Sequence, residues 1–106
     1  MVEMLLNKGA RVDALNASGG TALHDAALGG QSEVVSLLLE RGAAIDARDL
    51  ESGNTALANA ASWGRTNLVG LLLEKGANKK LANKAGKTPL MLARENGHDD
   101  TIERLQ

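Results

Sequence analysis

Residues 21–43 read TALHDAALGGQSEVVSLLLERGA, and residues 55–77 read TALANAASWGRTNLVGLLLEKGA. Overlaid, the two stretches share an opening Thr-Ala-Leu, a glycine at the tenth place, a run of leucines and a closing Gly-Ala. The pattern extends both ways. Gly-Ala recurs at Gly9-Ala10, Gly42-Ala43 and Gly76-Ala77, in steps of 33 and 34 residues. The opening recurs at Thr21, Thr55 and Thr88, in steps of 34 and 33, and the central glycine at Gly30, Gly64 and Gly97. A fixed period of this size marks an array in which each repeat is one supersecondary unit. The reversed order of the steps puts one extra residue between Gly42 and Thr55. Setting Asn16-Ala17-Ser18-Gly19 against Asp49-Leu50-Glu51-Ser52-Gly53 places it in the loop ahead of Gly53, where an insertion costs little.

Each unit reads as two short helices and a loop. Thr21 is a suitable N-cap, since its hydroxyl can accept from a free backbone N–H of the first turn. Pro89 follows Thr88, at the first helical position, where a missing N–H does no harm. The spacing predicts a helix over about Ala22 to Leu28, alanine-rich so that neighbours approach closely, with Gly29-Gly30 ending it. A second helix is expected from about Ser32 to Arg41. Its apolar residues Val34, Val35, Leu37, Leu38 and Leu39 cover more than one face, so it must be buried on two sides. Gly42 is placed to end it in the left-handed conformation. The polar, glycine-bearing stretch that follows reads as a hairpin-like loop. A lone unit cannot bury its leucines; stacking hides each helix between neighbours.

These residues resemble the ankyrin repeat, whose pattern runs approximately D-x-x-G-x-T-P-L-H-x-A-A-x-x-G-H-x-E-V-V-x-L-L-L-x-x-G-A. The resemblance implies an all-α solenoid of stacked helix-turn-helix units with hairpin-like loops. It divides the chain into a partial repeat over 1–14, repeats over 15–47 and 48–80, and a C-terminal capping repeat over 81–106. The motif histidine is present as His24 but is Ala58 and Met91 later, so the later repeats are expected to lack the loop-fixing bond that it makes in the family. His98 matches the family's histidine before the second helix. In the last repeat Thr101, Arg104 and Gln106 replace Val34, Leu37 and Leu39, which reads as an outer face turned polar. Met1, Val2, Met4, Leu5 and Leu6 keep the start apolar, so the expectation is a chain cut from something longer or covered there by another surface, including a homodimer paired through the uncapped N-terminal helix.

Composition narrows the function. The 106 residues hold one Trp, no Tyr and no Phe, so the core is aliphatic. The net charge of -1 argues against nucleic acid and membrane surfaces as general partners. With no cysteine, a disulfide scaffold, a thiolate zinc site and a cysteine nucleophile are excluded. No apolar run reaches bilayer length and no signal peptide is evident; the expected location is intracellular, cytoplasmic or nuclear. Gly86-Lys87-Thr88 looks like the end of a phosphate-binding loop but lacks the glycine that motif needs at Leu81, and it aligns with Gly19-Gly20-Thr21. His24-Asp25 is accounted for by its repeat position. No enzyme, no cofactor and no metal site is expected.

The resemblance implies that a partner protein binds the loop tips and the exposed face of each first helix. Carried over by position, the candidate residues are Leu15, Ser18, Asp25 and Leu28 from the first full repeat. The second contributes Arg48, Leu50, Glu51, Asn54, Asn59, Ser62 and Trp63, and the third Lys84, Lys87, Glu95 and Asn96. Trp63, the only aromatic residue, aligns with Gly29 and Asn96 and is the sharpest of these, because tryptophan is enriched at interface hot spots. The lysines from Lys79 to Lys87 would attract an acidic segment of the partner. The alternative is an ankyrin segment of a larger enzyme or of a transcription or signalling regulator whose activity lies outside this chain.

Overall fold

The computed structural model describes residues 21–106. Within them lie six helices: α1 (Ala22–Leu28), α2 (Ser32–Glu40), α3 (Ala56–Ser62), α4 (Thr66–Glu74), α5 (Pro89–Glu95) and α6 (Asp99–Leu105). No extended strand occurs among the described residues, and the architecture is all-α. The expected partial repeat over 1–14, with its N-terminal helix, and the opening of the 15–47 repeat lie outside the described residues.

The boundaries follow from the end residues. Thr55 caps α3 by accepting from the Ala58 N–H at 3.1 Å, and Thr88 caps α5 by accepting from the Met91 N–H at 3.4 Å. Pro89 occupies the first turn of α5. Helix α2 stops one residue earlier than expected, at Glu40. Gly42 then takes a φ of 93°, a region closed to most side-chain-bearing residues. That turn lets the Ala43 N–H reach back to the Leu38 carbonyl and the Gly42 N–H to that of Leu39. The same pair of bonds recurs after α4, through Gly76 and Ala77. The Gly-Ala ladder is therefore a ladder of helix stops.

The helices form two layers. The inner helices α1, α3 and α5 stack in a row, and the outer helices α2, α4 and α6 stack behind them. Helices in substantial contact belong to one repeat or to consecutive repeats. Ala26, Ala27, Ala60, Ala61 and Ala93 are buried along the inner row, where small side chains permit close approach. Leu38, Leu68, Val69 and Leu72 fill the space between the layers. Burying a side chain such as Leu57 contributes about 1.5–3 kcal/mol, so the middle repeat, covered on both sides, anchors the stack.

Thr101 departs from expectation. It is fully buried rather than part of an exposed polar face, and its hydroxyl lies 2.8 Å from that of Thr66. The hydroxyl is tolerated because this partner is in place. Arg104 and Gln106 are exposed as expected.

Candidate interaction surface

Side chains at equivalent positions tie one repeat to the next. Arg65 Nε donates to the Leu28 carbonyl at 3.1 Å, and His98 Nε2 donates to the equivalent Ser62 carbonyl at 3.0 Å. His24 makes a third tie. Its Nδ1 accepts from the Thr21 backbone N–H at 3.0 Å, while Nε2 lies 2.7 Å from the Asn54 carbonyl. A backbone N–H can only donate and a carbonyl can only accept, so the two partners fix the Nε2–H tautomer. The bond made by the motif histidine thus crosses to the following repeat. Between the second and third repeats, where Ala58 replaces the histidine, other groups span the gap. Asn83 Nδ2 donates to Asn54 Oδ1 at 2.9 Å, and the Lys84 N–H donates to the Ser52 carbonyl at 2.9 Å. Nearer the outer helices, the first and second repeats are also tied, the Asn78 N–H donating to Asp46 Oδ1 at 2.9 Å.

The loop with the extra residue is organised by Asp49. Its carboxylate accepts from the Ser52 N–H and hydroxyl and from the Gly53 N–H. Burial by itself pushes this carboxyl's pKa up, but those donors hold it below its ordinary value. The inserted stretch projects outward: Leu50 is 65% exposed, and Glu51 is exposed beside it. Lys84 Nζ donates to the Leu50 carbonyl, bracing the tip from the third repeat.

Most of the expected surface is accessible. Asp25, Leu28, Arg48, Leu50, Glu51, Trp63, Lys84, Glu95 and Asn96 are exposed; Asn54, Ser62 and Lys87 are half-buried. Leu15 and Ser18 lie outside the described residues. Asn59 is a correction: it is 6% exposed, packed within the stack, and so offers nothing to a partner surface. Lys87 is not a free cation, since its Nζ sits 2.7 Å from Glu95 Oε2. Met91, 47% exposed, was not among the expected residues. It occupies the position of the buried His24, and the loss of the motif histidine there was the available signal.

Trp63 is 61% exposed at the end of α3, and with Ser62, Asn96 and His98 it lines an open cleft between the second and third turns. Asn96 Nδ2 closes the cleft's far side by donating to Ser62 Oγ at 3.2 Å. The arrangement offers an apolar ring beside amide and hydroxyl groups. Among the described residues no group of His, Asp or Glu side chains is placed to hold a metal, and no helix is long and apolar enough to cross a membrane.

A family model described as ankyrin repeats (3 copies) matches residues 1–49 and 45–106. A relative from Caenorhabditis elegans, a transient receptor potential cation channel subfamily A member 1 homolog, is 39% identical over 105 residues. That match takes in 99% of this chain but 9% of the channel homolog.

Proposed function

This chain belongs to the ankyrin-repeat family, and on that premise we propose that it is a non-catalytic interaction module. It binds a partner protein through the loop tips around Leu50 and Lys84 and the inner face that ends at Trp63. Ankyrin repeats are in general protein-interaction modules. The observation that carries the reading here is the single tryptophan, 61% exposed beside Ser62 and Asn96. A large ring left in water contributes little to folding and much to an interface that dries it. The partner segment carries acidic residues toward Lys84, and the protein works in the cytoplasm or nucleus. The test is a pull-down and affinity measurement with Trp63→Ala. We expect at least about 2 kcal/mol of binding to be lost, with the unfolding midpoint nearly unchanged. A fall in stability with unchanged affinity refutes it.

One observation favours a second reading. The chain spans about a tenth of the length of its channel relative, which supports an interaction segment within a larger protein whose activity lies elsewhere. The mass of the full gene product decides between the two.

A further inference from the structure

Asn96-Gly97 is the single Asn-Gly pair in the chain, and we infer that it is a site of spontaneous deamidation that rewrites the charge of the Trp63 cleft. The backbone nitrogen of Gly97 attacks Cγ of Asn96. A new C–N bond closes a five-membered succinimide as the Cγ–Nδ2 bond breaks, and Nδ2 leaves as ammonia with the proton released by the Gly97 amide. Water then opens the ring at either carbonyl, giving aspartate or, more often, isoaspartate. The step needs water alone. A side chain on the following residue crowds the ring closure, and each of the other seven asparagines precedes a residue that carries one. Around Gly97 even the place where a Cβ would sit has nothing within 4 Å.

The fold gates the reaction. Asn96 has a ψ of 0°, which holds the Gly97 nitrogen away from the face of Cγ. The Gly97 N–H is engaged by the Arg94 carbonyl at 3.2 Å, and the His98 N–H by that of Ala93 at 3.0 Å. The carboxamide is held as well, Nδ2 donating to the Leu92 carbonyl at 3.0 Å and to Ser62 Oγ at 3.2 Å. Attack therefore requires the last turn of α5 to open, a local event that costs less than global unfolding. The product cannot return to the same bonds. A carboxylate has no proton to give the Leu92 carbonyl, and it adds negative charge at the C-terminal end of α5, where the helix dipole already disfavours it. The isoaspartyl form also lengthens the backbone inside the turn that stops α5. The cleft changes from a neutral donor to an anion, which would repel the acidic segment proposed above; that last consequence alone rests on the proposed function.

The test ages the purified chain at neutral and mildly alkaline pH, folded and in urea, and maps peptides by mass spectrometry. Asn96 is expected to be the first of the eight asparagines to convert, several-fold faster in urea than folded, with conversion there abolished in Asn96→Gln. Another asparagine converting first, or equal rates folded and unfolded, overturns the site or its gate. Trp63, the sole aromatic residue, reports the charge without any partner. In the aged chain and in Asn96→Asp, iodide should quench its fluorescence less and caesium more than in the fresh chain. Unchanged quenching by both ions overturns the rewriting of the cleft while leaving the interaction surface to its own pull-down.

Discussion

Gly64 and Gly97 have nearly the same backbone, with φ of 69° and 73°, yet alanine should behave differently at each. At Gly97 an added Cβ meets open space, whereas at Gly64 it would stand 2.6 Å from His98 Nδ1 and 2.8 Å from Cγ. The left-handed backbone costs alanine about 1 kcal/mol in both places. At Gly64 the His98 ring must also move, which breaks its bond to the Ser62 carbonyl, worth about 0.5–1.5 kcal/mol, and opens the packing between the second and third turns. Gly97→Ala should therefore cost about 1 kcal/mol and Gly64→Ala about 2–3 kcal/mol. Urea unfolding followed by circular dichroism resolves this, because a difference near 1 kcal/mol moves the midpoint by several tenths of a molar at a slope of about 1–3 kcal/mol/M. The decisive comparison is Gly64→Ala in a His98→Ala background. With the ring gone, only the backbone cost remains, so the substitution should fall to the Gly97 value. Equal losses at the two glycines, or a Gly64→Ala penalty that survives removal of the ring, would refute the inter-repeat contact as the cause.

Thr66→Val should destabilise by about 1–3 kcal/mol, because it leaves the fully buried Thr101 hydroxyl without its partner. Thr101→Val should cost less than about 1 kcal/mol, because half-buried Thr66 can turn to water; equal costs in thermal denaturation would contradict this. Gly70→Ala should stabilise by about 0.5–1 kcal/mol through helix propensity, since the neighbour of its new Cβ is the exposed Arg104 guanidinium at 3.2 Å, which can swing away. Asp49 has its pKa lowered by folding, so its contribution is full above the ordinary carboxylate range near pH 3.8 and is lost as pH falls through the lower folded value. Asp49→Asn should reduce the fall in urea midpoint between pH 5 and pH 2, and an unchanged slope would count against the Ser52 and Gly53 donors as its cause.

The helices were legible because their ends are chemical. Threonine hydroxyls, Pro89 and the glycines before Gln31, Arg65 and His98 specify starts and stops within a few residues, and α1 runs over the residues expected. What depends on the neighbouring repeat was not legible. Thr101 is polar by type, and only the position of Thr66 shows that it belongs inside. Asn59 shares its repeat position with the exposed Asp25, yet the stack covers one and not the other. His24 carried a structural role in the pattern, but nothing in the pattern said that its acceptor is Asn54 of the following repeat. Trp63 could equally have packed over its own turn, and its exposure follows from the three-dimensional course of α3.

Contact between consecutive repeats alone also sets how the chain finds its fold. Every loop that must close to bring one unit against the next is about one repeat long, and its entropic cost grows only with the logarithm of that length. Among the described residues no substantial helix pairing waits for distant parts of the chain to meet, so folding can start in any adjacent pair and spread outward. The search does not lengthen as units are added. A stack built in this way can gain or lose whole repeats over evolutionary time while the rate at which each new molecule becomes ordered stays nearly the same.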